Sequence, residues 1–103
     1  MSKAFIEMIA PLVLKYDSPL FPSVRIAQAC LESGYGTSKL ATEANNLFGI
    51  KASAPWKGES MVVQSREEGQ GIVSSAFRKY GAWEESIKDH AGFITSTPWR
   101  RNH

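Results

Sequence analysis

The chain has 103 residues, 43% of them hydrophobic and 21% charged, which describes one small globular domain and excludes disorder. A chain this short buries only about 60–65% of its unfolded surface, so its stability margin is thin. Twelve basic residues against ten acidic leave a net charge of +2. That is too mild for a nucleic-acid surface and, apart from Arg100-Arg101, too scattered; alone it says little about an anionic polymer.

At the N-terminus Glu7 interrupts the apolar residues after Lys3, and no small-residue cleavage site follows, so no secretion signal is predicted. No run of about 18 apolar residues exists that would span a membrane. Synthesis in the cytoplasm is expected, with release by other means for any target outside. Cys30 is the single cysteine, which excludes an internal disulfide and a cysteine-built metal site. In Ala27-Gln28-Ala29-Cys30-Leu31 it reads as a small buried hydrophobe.

In chain order, Ser2 is a candidate N-cap for a helix carrying Phe5, Met8, Ile9, Leu12, Val13 and Tyr16 at helical spacing. Pro11 should kink or split it. Asp17-Ser18-Pro19 is a break, and Pro22 opens a second helix with Val24, Ala27, Cys30 and Leu31 on its core side. Gly34 is its left-handed stop. Residues 37–46 predict a helical turn and a polar loop, and Leu47 to Ile50 a buried apolar run. Residues 60–66 and 72–78 flank Glu68-Gly69-Gln70-Gly71 as a β-hairpin. Trp83, Ile87, Ala91 and Ile94 mark a last helix, with Pro98 beyond its end. No repeat, linker or low-complexity segment interrupts residues 1–103. The fold class is α+β, mainly helical, with the strands segregated.

By pattern alone Glu32 is unremarkable. Arg25, Gln28 and Glu32 share a helix face, so Glu32 reads as one more solvated position, and solvation is the common fate of a surface glutamate. A carboxylate near a helix C-terminus meets the negative end of the dipole, which favours its protonated form. The surrounding run, Pro22-Ser23-Val24-Arg25-Ile26-Ala27-Gln28-Ala29-Cys30-Leu31-Glu32-Ser33-Gly34-Tyr35-Gly36, closely resembles the signature of the bacterial glucosaminidases, glycoside hydrolase family 73. Asn46-Leu47-Phe48-Gly49-Ile50-Lys51 resembles the second signature of that family, Trp56-Lys57-Gly58 also matches, and Phe77-Arg78-Lys79-Tyr80 resembles the third. Ordered motifs at compatible spacing make the resemblance specific, and it extends from about Phe5 to Asn102.

The resemblance implies a lysozyme-like fold: a helical body, a small β-hairpin lobe and a groove for glycan between them. It implies an endo-β-N-acetylglucosaminidase acting on peptidoglycan, with no cofactor and no metal. Glu32 would protonate the oxygen between N-acetylglucosamine and N-acetylmuramic acid, which requires a carboxyl partly buried against apolar surface, with Tyr35 and Phe48 supplying it. Glycosidases commonly pair their acid with a second carboxylate. The position matching the family's β-lobe acid is Glu67, with Glu68 one residue away and Glu59 a poorer match. Substrate assistance by an N-acetyl group could replace a nucleophile, so the stereochemical course stays open.

Both a functional and a structural reading apply to the remaining site candidates. Tyr35 matches a groove aromatic, or is a half-buried core residue. Trp56 either stacks on a sugar or packs under the hairpin. Asn46 and Phe48 border the groove or support it. Phe77, Tyr80 and Trp83 read as core, and His90 and His103 have no neighbour at metal-ligand spacing.

The segment from Thr97 to His103 looks like the start of a stretch that in the family runs on through a tyrosine and a further helix. This predicts a truncated catalytic domain whose open end is a candidate surface for self-association. A wall-binding module that no longer cuts is the alternative to an autolysin or phage-type endolysin acting at the cell wall.

Overall fold

The computed structural model describes residues 2–53 and 56–96, except the side chains of Ser2, Glu67 and Ser96. Helices α1 (Ser2–Lys15), α2 (Pro22–Ser33) and α3 (Lys39–Glu43) precede strands β1 (Ser60–Glu67) and β2 (Gly71–Arg78), and α4 (Trp83–Ser96) follows. This is the mainly helical α+β arrangement expected, a helical body with a two-stranded antiparallel lobe. The expected stop at Pro98 lies outside the described residues.

Helix α1 buries Phe5, Ile9 and Val13, one residue per turn, against Ala29 and Cys30 of α2, Ala41 and Leu47, and Ile87 of α4. Each large apolar side chain fully buried there contributes roughly 1.5–3 kcal/mol relative to exposure. One expectation for α1 fails. Met8 is 61% exposed rather than core, because it lies off the 5-9-13 stripe. Of the two outcomes expected at Pro11, a kink or a split, the split does not occur: the helix runs unbroken through it. Pro11 and Glu7 both sit on the exposed side, where water can take the carbonyl that the missing N–H leaves free.

Helix α2 is rotated from the expected orientation. Cys30 is buried, but Val24 and Leu31 are 40% and 78% exposed. The inward positions are Arg25, Ala29, Cys30 and Ser33. The cause is Arg25, 1% exposed, which finds acceptors at the end of α1 and on α4. Its Nη1 donates to the carbonyls of Val13 and Tyr16 at the end of α1, and its Nη2 to Ile87 at 2.8 Å. Its Nε donates to Nδ1 of His90 at 3.2 Å. A guanidinium among C-terminal carbonyls is favoured by the helix dipole, which offsets part of its desolvation. That desolvation pulls its pKa below the ordinary arginine value, against the opposing charge of Asp17.

The expected hairpin forms, each strand one residue longer at the turn than expected, with pairs running from Ser60 opposite Arg78 to Glu67 opposite Gly71. A bridge between Lys51 and Phe77 adds the loop after Ile50 to its edge. The lobe is fastened to the body at its base. Arg78 pairs with Asp89 of α4 at 2.8 Å and donates from Nε to the Lys51 carbonyl at 3.1 Å. Tyr80 donates its hydroxyl to the same Asp89 carboxylate.

Candidate active site

Glu32 occupies the last turn of α2, and the turn after it is rigidly specified. Ser33, fully buried, accepts the Gly36 N–H at 2.9 Å through its hydroxyl, which in turn donates to the Ala29 carbonyl. Gly34 takes the left-handed conformation foreseen for the helix stop, and Tyr35 follows it at φ 55°. At Gly36 a β-carbon would lie 2.7 Å from the Phe5 ring and 2.8 Å from that of Trp83, so only glycine allows this turn to close on the core.

Opposite the end of α2 runs the loop of the second motif. Asn46, 1% exposed, accepts the Ile50 N–H at 3.1 Å and donates to the carbonyls of Ile50 and Arg78, both at 2.9 Å. Asn45, at φ 54°, donates its side-chain amide to the Tyr80 carbonyl. These bonds set the path that carries Phe48 and Gly49 outward while Leu47 and Ile50 go to the core, as expected of the apolar run. Gly49 has φ 68°, and a β-carbon on it would stand 3.5 Å from Oε2 of Glu32. The carboxylate therefore faces this loop.

Gly49 is part of the wall of a cleft of about 590 Å³. The cleft is bounded by Leu20, by Gln28 one turn before Glu32, by residues 48–51 and Ser53, and by His90, Phe93 and Ile94 of α4. Phe48 stacks face to face on His90, with 3.7 Å between ring centroids and 2° between planes. His90 thus links buried Arg25 to the aromatic wall of the cleft.

Glu32 stands at the rim beside Gly49 and is exposed. This departs from the expected burial between Tyr35 and Phe48, because Tyr35 turns away to meet the edge of Phe5 at 6.4 Å and is itself 44% exposed. Asn46 spends its amide inside the loop. Trp56 lies elsewhere, edge-on to Tyr80 at 5.6 Å, beneath the Arg78 guanidinium at 4.7 Å, and bonded through Nε1 to the Glu59 carbonyl. With Tyr80, Lys88 and Asp89 it borders a second hollow of about 350 Å³ on another face of α4. Glu67 ends β1 opposite Gly71; its side chain lies outside the described residues. Of the candidates, Phe48 lines this cleft, and Glu32 faces the same loop at Gly49. Gln28, Lys51, His90 and Phe93 line that cleft without having been singled out, although Gln28 precedes Glu32 by one helical turn and Lys51 closes the second motif.

The family model for mannosyl-glycoprotein endo-beta-N-acetylglucosaminidase, the glucosaminidase domain, matches residues 13–103. The chain belongs to the glucosaminidase family. It is 42% identical over 86 residues to the exo-glucosaminidase LytG of Bacillus subtilis, covering 80% of this chain and 30% of that protein. It is 35% identical over 106 residues to the peptidoglycan hydrolase FlgJ of Escherichia coli K12, covering 94% of this chain and 34% of that protein. The chain therefore spans about a third of the length of these curated relatives. Among solved structures, the glycoside hydrolase domain of Salmonella typhimurium FlgJ superposes with a TM-score of 0.78 at 29% identity, over 95% of this chain and 63% of that one. The helical body and β-lobe of this glucosaminidase-family domain are thus the lysozyme-like arrangement that its motifs implied.

Proposed function

We propose that this glucosaminidase-family domain hydrolyses the β-1,4 bond between N-acetylglucosamine and N-acetylmuramic acid in peptidoglycan, with Glu32 as general acid. The observation that supports this reading best is the placement of Glu32. It stands on the last turn of a helix, its carboxylate beside Gly49, at the rim of a sugar-sized cleft with an aromatic wall.

A general acid must hold its proton near neutral pH, which calls for a carboxyl shielded from water during the reaction. The glycan supplies the missing desolvation. A strand laid along the cleft covers the rim, removes water from Glu32 and places the bridging oxygen where the proton is needed. A second carboxylate from the hairpin tip, with Glu67 ahead of Glu68, would then activate water or stabilise the sugar cation; substrate assistance is the other route. In this reading residues 1–103 act as one catalytic unit on the cell wall, outside the cytoplasm. Among the described residues no helix is long and apolar enough to cross a membrane. The binding-only alternative is not favoured by the relatives, which are named as hydrolases and a glucosaminidase.

The test is digestion of purified wall followed by mass spectrometry of the released fragments. New reducing ends on N-acetylglucosamine support the reading. New reducing ends on muramic acid, or anhydromuramic products, overturn the bond assignment. Fragment length separates internal cleavage, expected here, from release at chain ends, which the name of the Bacillus subtilis relative describes for that enzyme.

A further inference from the structure

Among the described residues that line the cleft, Lys51 is the only one carrying a full charge; the rest are apolar, amide, hydroxyl, imidazole or backbone surface. Its backbone is fixed. It is bridged to Phe77 of β2, its carbonyl accepts Arg78 Nε, and the neighbouring Ile50 carbonyl accepts the Arg78 N–H at 3.0 Å. Ile50 points into the core and Lys51, next along this extended backbone, is exposed. The ammonium is therefore carried on a flexible side chain from a fixed backbone position two residues from Gly49, the glycine that faces Glu32. The ion pairs of Lys15 with Glu84 and of Arg78 with Asp89, among the described residues, do not use it.

A bare glycan of N-acetylglucosamine has no group that calls for a cation. A muramyl residue carries a peptide, and that peptide ends in carboxylates. We infer that Lys51 is a specificity-determining residue that binds a carboxylate of the stem peptide on the muramyl sugar and so selects peptide-bearing glycan over neutral oligosaccharide. An ammonium acts as a point charge with three donors, which suits a carboxylate that reaches the cleft on a flexible peptide. The inference rests on the proposed peptidoglycan activity and names which part of that substrate the cleft reads.

Kinetics on two soluble substrates test it: a muropeptide oligomer with free carboxylates, and the same oligomer with its stem carboxylates amidated. For the wild type, kcat/KM is expected to favour the acidic oligomer, and the preference to shrink as salt is raised. In Lys51→Gln the ratio of the two kcat/KM values should fall about tenfold, chiefly through KM, as expected for one charge-assisted contact. Lys51→Arg should keep most of the ratio. A ratio unchanged in Lys51→Gln, or equal losses on both oligomers, overturns the inference. Inactivity of the wild type on both would instead sink the proposed hydrolysis. In that case the same comparison is read as binding of the two oligomers by calorimetry, where equal affinities overturn the role of Lys51.

Discussion

The position of Glu32 depends on two residues whose side chains do no chemistry. Gly49 holds a left-handed conformation against the carboxylate, and Arg25 ties α2 to α1 and α4 from beneath. Gly49→Ala adds a β-carbon at van der Waals distance from Oε2 and a backbone strain of about 1–3 kcal/mol. Lower thermal stability is expected, with a roughly tenfold or greater loss of wall-degrading rate as the strained loop shifts away from the carboxylate. Paired thermal melts and turbidity assays check this; an unchanged rate would show that the loop need not approach Glu32 so closely. Arg25→Met leaves the carbonyls at the end of α1 unpaired and should cost about 3 kcal/mol. In a domain of this size that lowers Tm by more than about 10 °C, measurable by circular dichroism.

Among the elements, the junction between hairpin and body carries the next consequence. Burial, then the hydrogen bond to Asp89, raises the Tyr80 hydroxyl above its ordinary pKa of 10.0. A group whose folded pKa is raised contributes stability that is fully present below the unfolded value and is lost as pH rises past it. The wild type should therefore lose stability with pH above 10.0 more steeply than Tyr80→Phe, which has no proton to lose. Urea unfolding at several pH values up to about 12 checks this, and parallel curves for the two proteins would contradict it.

The elements themselves were largely legible. The hairpin, the Gly34 stop and the last helix follow from β-compatible runs, turn residues and apolar spacing. The orientation of α2 was not, because apolar periodicity points Val24, Ala27 and Leu31 inward, whereas a buried arginine satisfied by backbone carbonyls leaves no hydrophobic trace. Likewise Asn46 resembles a groove residue in its motif, yet its amide is consumed by bonds to Ile50 and Arg78 that only the folded chain brings together.

Over the whole molecule, a helical body presents Glu32 and part of the cleft lining, while the hairpin presents the tip where Glu67 and Glu68 lie. Arg78, Tyr80 and Asp89 clamp the lobe at its base, and the exposures of 61% for Val62 and 64% for Ile72 show how little of it the body covers. The proposed general acid, Glu32, stands on the helical body and not on this lobe. The most direct measurement of the acid itself compares wild type with Glu32→Gln on two substrates: native glycan, and a dinitrophenyl glycoside of the same sugar, whose leaving group departs without a proton. The variant should lose roughly a hundredfold to ten-thousandfold on native glycan and far less on the activated glycoside. Equal losses on both substrates, or undiminished cleavage of native glycan, would contradict the role given to Glu32.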